Sequence, residues 1–188
     1  METILKYLRN TKDMFLVYGG NLEAELRVTF YCDAGFETDR DDIKAQTSYV
    51  FILNGGAVDW KSSKQNTTAM SAIEAEYIAA SEAAMEVVCI RKFISGLGIV
   101  PTINEPNKVL CDNSVGLLIA NKPRVQKGAR HYYRRYHYVH ECIKLGEINI
   151  LKVNTDDNLA DPFTKALSKG KLTQHARSIG LCLATSFM

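Results

Sequence analysis

The chain has 188 residues, 46% hydrophobic and 23% charged, with a formal net charge of +2; this suits one well-cored domain with some extra at its ends and excludes a disordered chain. Five cysteines (Cys32, Cys89, Cys111, Cys142, Cys182) are odd in number and form no C-x-x-C pair, so they support neither zinc ligation nor a disulfide framework and read as reduced, mostly buried thiols. No apolar run approaches the roughly 18 residues of a membrane span, and Met1-Glu-Thr-Ile-Leu-Lys lacks a signal peptide's apolar stretch, so the chain is expected to be soluble, intracellular and away from membranes.

In chain order, Ile4, Leu5 and Leu8 outline a short amphipathic helix followed by Phe15-Leu-Val-Tyr. This segment, 1–22, stands apart and reads as the tail of something upstream. From Leu26 the pattern alternates, Leu26, Val28, Phe30 and Cys32 against Arg27, Thr29, Tyr31 and Asp33, which is strand periodicity. Two β-rich runs around Asn54-Gly55 predict a hairpin, so three strands open the domain. A long helix is expected from Ala69 to Leu97, with Gly96 and Gly98 as stop signals. Its apolar stripe runs through Ile73, Ala80, Ala83, Ala84, Val87, Ile90, Ile94 and Leu97. At about 100° per residue Glu76 falls within that stripe; Glu74 points nearly the opposite way and, like Glu82 and Glu86, is expected in solvent.

Lys108-Val-Leu-Cys-Asp is a fourth strand, leading into a short helix at 114–120. A basic loop, a helix over 129–145, a fifth strand at 148–153 and a last helix carrying Asp161 follow. Pro162 cannot sit deep inside that helix, so it either begins near Asp157 or Asn158 or kinks. Residues after about Leu167 show no strong pattern. The order implies an α/β fold with a five-stranded mixed sheet flanked by helices. The expected division is a domain over 23–168 with a C-terminal tail over 169–188.

Charge is unevenly spread. From Lys122 to Lys144 seven Lys/Arg face Glu141 alone, a formal +6, whereas seven acids and three bases between Glu23 and Lys44 give −4. A basic stripe apart from an acidic cluster suits a polyanion held by one region and cut, through metals, at another; a solvated helix face is the plainer alternative.

Four acids stand where acids are costly: Asp33 in Phe30-Tyr-Cys-Asp-Ala, Glu76 in Ile73-Glu-Ala-Glu-Tyr, Asp112 in Leu110-Cys-Asp-Asn, and Asp161 in Leu159-Ala-Asp-Pro. Asp33 and Asp112 end apolar strands, and if those strands are parallel neighbours their carboxylates lie side by side, with Glu76 and Asp161 closing the site. Converging carboxylates need cations to neutralise them. Two Mg²⁺ ions, with Mn²⁺ able to substitute, would supply the activated water and the charge stabilisation that phosphodiester hydrolysis needs, and hard oxygen ligands suffice to hold them.

Six motifs in order resemble the ribonuclease H domain that follows the reverse transcriptase in copia-type retrotransposon polyproteins: Tyr31-Cys-Asp-Ala, Gly55-Gly-Ala-Val-Asp-Trp-Lys-Ser-Ser-Lys-Gln, Glu74-Ala-Glu-Tyr-Ile-Ala, Leu110-Cys-Asp-Asn, Arg135-Tyr-His-Tyr-Val and Asn158-Leu-Ala-Asp-Pro-Phe-Thr-Lys. The resemblance covers about Glu23 to Leu167. It implies a ribonuclease H-like fold, a metal-dependent endonuclease acting on the RNA strand of RNA–DNA hybrids, and catalytic, metal-coordinating roles for Asp33, Glu76, Asp112 and Asp161. It also implies an upstream reverse transcriptase domain as partner, and a cytoplasmic or nuclear setting, or a virus-like particle for an active element. Two departures stand out. Val153-Asn-Thr-Asp-Asp-Asn lacks the histidine that many cellular relatives carry before the last acid, which points to slow turnover, and Ala72-Ile73 replace small hydroxyl residues. A polymerase's Tyr-x-Asp-Asp motif is missing from this chain.

Gln65, Asn66, Thr67, Thr68 and Asn113 are candidates for contacts to the 2′-OH of RNA, and equally for turn or cap residues. Arg124, Lys127, Arg130, Arg134 and Arg135 are candidates for gripping phosphates without reading sequence. His137 and His140, spaced i,i+3, lack a third ligand within reach and are read as packing or surface residues, and Trp60 as a core or edge residue. The rival readings are a catalytically idle nucleic-acid-binding relic or support domain, and an integrase-like or junction-cutting nuclease with a differently spaced acidic set.

Overall fold

The computed structural model describes residues 2–19, 28–36, 44–98, 103, 105–112 and 133–184. Helix α1 (Glu2–Asn10) and strand β1 (Met14–Leu16) precede strands β2 (Val28–Gly35), β3 (Gln46–Leu53) and β4 (Gly56–Lys64). Helix α2 (Ala72–Leu97), β5 (Asn107–Cys111), α3 (Tyr133–Lys144) and β6 (Ile148–Lys152) come next. Two 3-10 turns (Thr155–Asp157 and Asp161–Phe163), α4 (Lys169–Ser178) and β7 (Leu181–Leu183) complete the described chain.

Five strands form one mixed sheet, as the pattern implied, and their spatial order is β4-β3-β2-β5-β6. The hairpin turns at Asn54 and Gly55, both at positive φ (49° and 82°), the geometry for which Asn-Gly is favoured because glycine has no Cβ to clash. β2 pairs antiparallel with β3, while β5 runs parallel to β2 on one side and to β6 on the other. Six consecutive residues of β3, Thr47 to Ile52, are buried, so this strand is covered on both faces.

On one face Phe30, Cys32, Phe51, Val109 and Cys111 pack under α2 and α3, with the Phe30 and Phe51 rings 4.4 Å apart at their centroids. Each such large side chain contributes roughly 1.5–3 kcal/mol on burial. Alanines 80, 83 and 84 let α2 approach the sheet closely, and the helix is fixed at both ends. Ser71 accepts from the Glu74 N–H at its start, and Gly98, at φ 67°, closes it in the left-handed conformation. The buried face is displaced from the expected stripe: Ile73 and Leu97 are exposed, and Tyr77, Ile78 and Val88 are buried instead.

The opposite face carries Val50, Ile52 and Ala57 beneath Leu159 and Ala160. Here the stretch after Leu167, patternless in sequence, contains α4 and β7. β7 pairs antiparallel with β1, so segments expected to flank the domain at its two ends join in a small sheet. This sheet is seated on the hairpin: the Ala57 N–H donates to the Ile179 carbonyl, the Val17 N–H to Gly180, and the Tyr18 hydroxyl to Ala57. Gly180 (φ 88°) has no room for a side chain, since a Cβ would lie 2.7 Å from the Val17 carbonyl. Among the described residues no helix is long and apolar enough to cross a membrane.

Candidate active site

The parallel register of β2 and β5 pairs Thr29 with Lys108, Phe30 with Val109 and Tyr31 with Leu110. Two residues on, Asp33, still paired with β3, and Asp112, just past the end of β5, therefore lie side by side, and Cys32 and Cys111 below them meet thiol to thiol in the core. Asp161 reaches the same place from the far face. One oxygen from each of Asp33, Asp112 and Asp161 lies within 4.8 Å of the others, and Asp33 and Asp161 are buried.

Asp161 sits in a 3-10 turn rather than a longer helix, and nearby Pro162 cannot donate the hydrogen bond an α-helix would need. Hydrogen bonds between this stretch and the sheet hold the turn. Buried Asn158 donates from Nδ2 to the Cys32 carbonyl (3.0 Å) and accepts from the Ala160 N–H (3.2 Å). Ser48 Oγ donates to the Ala160 carbonyl (2.9 Å), and Gln46 Nε2 and Ser62 Oγ both donate to the Phe163 carbonyl (3.1 and 2.6 Å). Thr164 donates its hydroxyl to Asp33 Oδ2, tying the turn to the neighbouring acid, and Lys165 Nζ lies 2.6 Å from Asp161 Oδ1. Thr164 and Lys165 were passed over in the sequence, although both stand in the Asn158-to-Lys165 motif, Lys165 an i,i+4 step from Asp161.

Glu76 approaches from α2. Its carboxylate accepts the Ala34 backbone N–H, and its shielded Oε2 has no partner among the described residues. Burial pushes its pKa up to about 9, with the fields of Asp33 and Asp112 adding to the effect. Asp33 is pushed up to about 6, chiefly by burial and further by Asp161 and Asp112, while the Thr164 hydrogen bond and Lys165 oppose the rise. Oxygen donors this close, in acids that resist ionising together, fit a hard divalent cation such as Mg²⁺.

The expected contrast between Glu74 and Glu76 needs correction. Glu74 is the more buried of the two, 8% exposed. It caps the helix, accepting the Met70 N–H at 2.9 Å while its own N–H donates to Ser71 Oγ. What separates the two glutamates is what each carboxylate faces, a helix terminus for Glu74 and other acids for Glu76. Glu82 is also not in solvent, being paired with Lys61 and Arg135 at 3.1 Å each.

Gln65, expected at the substrate, is 1% exposed, its amide donating to Thr47 Oγ1 and the Ala75 carbonyl. It joins β4 to α2 inside the domain, so direct contact with nucleic acid is corrected to a structural tie. Asn66 and Thr68 are exposed and Thr67 half-buried just before α2, while Arg134 is exposed on α3. Asn113, Arg124, Lys127 and Arg130, with the helix expected over 114–120, lie outside the described residues. Trp60 is 54% exposed on β4, at the sheet edge.

A five-stranded mixed sheet with two helices on one face and clustered carboxylates at the end of its central parallel pair is the ribonuclease H fold. Solved structures agree: the N-terminal RNase H domain of Rv2228c from Mycobacterium tuberculosis covers 82% of this chain and is itself covered to 99%, with TM-score 0.53 and 14% identity. LC11-RNase H1, in complex with RNA/DNA hybrid, covers 73% of this chain and is covered to 93%, with TM-score 0.51 and 13% identity. No family model matches the sequence.

By sequence the chain is a homologue of retrovirus-related Pol polyproteins from plant transposons. It is 32% identical over 181 residues to the Pol polyprotein from transposon TNT 1-94 of Nicotiana tabacum, matching 96% of this chain. Two such polyproteins of Arabidopsis thaliana match over the same share. The chain spans 13% of the length of the tobacco relative.

Proposed function

We propose that this chain is a metal-dependent endonuclease that hydrolyses the RNA strand of RNA–DNA hybrids. The observation that carries the reading is the meeting of Asp33, Asp112 and Asp161 oxygens within 4.8 Å at the end of two parallel strands, with Glu76 beside them. Asp33, Glu76, Asp112 and Asp161 would hold two Mg²⁺ ions, or Mn²⁺. Bound there, the ions would supply an activated water and charge stabilisation for phosphodiester hydrolysis. The residues of the chain do the rest. The β2–β5 register sets the spacing of two ligands, Asn158 and Ser48 fix the turn that delivers Asp161, and Thr164 orients Asp33.

That LC11-RNase H1 has been solved with RNA/DNA hybrid supports the hybrid as substrate. Asn66 and Thr67 lie near the start of α2 and would contact the 2′-OH of the RNA. Asn113 would join them there, and Arg134, with Arg124, Lys127 and Arg130 of the segment before it, would hold phosphates. The Pol polyprotein relatives support an upstream reverse transcriptase domain as partner, in the cytoplasm, the nucleus or a particle of the element. The test is cleavage of a labelled hybrid with Mg²⁺, beside duplex RNA and duplex DNA. Cleavage confined to the RNA of the hybrid and lost in Asp112→Asn is expected; binding without cleavage would leave an idle nucleic-acid-binding domain.

A further inference from the structure

The turn that delivers Asp161 also delivers a cation to it. Lys165 follows one helical step later, and its Nζ lies 2.6 Å from Asp161 Oδ1; the Asp161 side chain is 5% exposed and that of Lys165 45%. The ammonium acts on more than its partner, since its field also lowers the pKa of Asp33. The contact is one of charge: Asp161 Oδ1 is shielded from solvent and has no hydrogen-bond partner among the described residues, so the ammonium is the cation that neutralises it. One carboxylate oxygen is thus held by an ammonium at the point where three acids converge. A divalent ion taking that oxygen would stand close to the ammonium, and two cations so near repel strongly. The lysine stem is flexible and its side chain nearly half exposed, so the ammonium is free to swing outward.

We propose that Lys165 is a tethered counter-cation of the acidic triad, pairing with Asp161 in the metal-free protein and giving up that oxygen to a divalent ion, so that metal uptake is an exchange of cations. The inference rests on the reading of the triad as a metal site. Its consequence is a tuned affinity: the ammonium stabilises the folded site without metal, and the metal must compete with it. If the paired state holds about nine-tenths of the molecules, removing the ammonium tightens apparent metal affinity about tenfold.

Calorimetric titration with Mg²⁺, and with Mn²⁺, would compare the parent with Lys165→Gln, Lys165→Arg and Lys171→Gln, the last removing a lysine paired with exposed Asp156. Expected are tighter binding and a lower metal-free melting temperature in Lys165→Gln, and near-parent affinity in Lys165→Arg and Lys171→Gln. A second measurement needs no variant. Acylation of Lys165 by acetic anhydride, followed by peptide mass spectrometry, should speed up when Mg²⁺ is added to the parent. Equal or weaker Mg²⁺ affinity in a folded Lys165→Gln protein, or labelling indifferent to Mg²⁺, would overturn the exchange and leave the nuclease reading standing. A parent that binds neither ion would overturn both.

Discussion

Glu76 and Glu82 lie six residues apart on α2, both partly shielded from solvent, and their surroundings are opposite in sign. Glu82 is bracketed by Lys61 and Arg135, each 3.1 Å from one of its oxygens. Glu76 faces Asp33 and Asp112, its Oε2 has no partner among the described residues, and its pKa is pushed up to about 9. One acid held by two bases is a structural clamp between β4, α2 and α3. Several acids with the Lys165 ammonium among them form a site in want of positive charge, and that deficit makes it a place for metal and phosphate chemistry.

Neutralising each glutamate should therefore give opposite results. Glu76→Gln is expected to lower hybrid cleavage by about 10²-fold or more while raising the metal-free melting temperature, because folding no longer has to neutralise a carboxylate that is ionised in the unfolded chain. Glu82→Gln should keep cleavage close to the parent's and lower stability by about 1 kcal/mol, part of the value of a partly exposed ion pair having been screened already. Cleavage assays and thermal melts in chelator check both; melting shifts of the same sign would erase the distinction between site and clamp.

Stability against pH extends the comparison. The folded pKa values of Asp33 (about 6) and Glu76 (about 9) stand above the ordinary carboxylate values of 3.8 and 4.5. Between those limits the folded protein binds more protons than the unfolded chain, so metal-free stability is full at the acid end and is lost as pH rises through about 6 and then about 9. Melts in chelator from pH 4.5 to 9 should show this decline, and it should flatten in a Glu76→Gln protein or with saturating Mg²⁺.

Smaller effects test the frame around the site. Asn158→Ala leaves the buried Cys32 carbonyl without its 3.0 Å donor and frees the Asp161 turn, so chemical denaturation should show a loss of about 1–3 kcal/mol, with weaker cleavage. Smallest is Arg134→Gln. If exposed Arg134 makes one phosphate contact, the slope of log affinity against log salt should fall by roughly 0.7–0.9 with little change in cleavage at saturating hybrid. Parallel slopes in parent and variant would reduce Arg134 to a solvated surface residue.

Much of this was determined by the sequence alone, because strand and helix periodicity, turn chemistry and the position of an acid relative to an apolar run are local properties. The Asn54-Gly55 hairpin, the five strands of a mixed sheet, the placing of Asp33 and Asp112 late in or just after apolar strands and the α2 phase that turns Glu76 toward the sheet all follow from that code. Tertiary structure decided the rest. The parallel pairing of β2 with β5, between residues distant in the chain, made neighbours of two acids. Helix phase reports which way a side chain points but not what covers it; Glu74 and Gln65 were buried by a helix start and a strand end that no periodicity marks. Pro162 announced a break near Asp161, but only hydrogen bonds from Ser48, Gln46 and Ser62, and from Asn158 to the Cys32 carbonyl, partners far away in sequence, settle where the turn lies. The same contacts bring Thr164 onto Asp33 and leave the Lys165 ammonium against Asp161, for side-chain partnership across a fold depends on which backbones meet, and that is not written in any local window of residues.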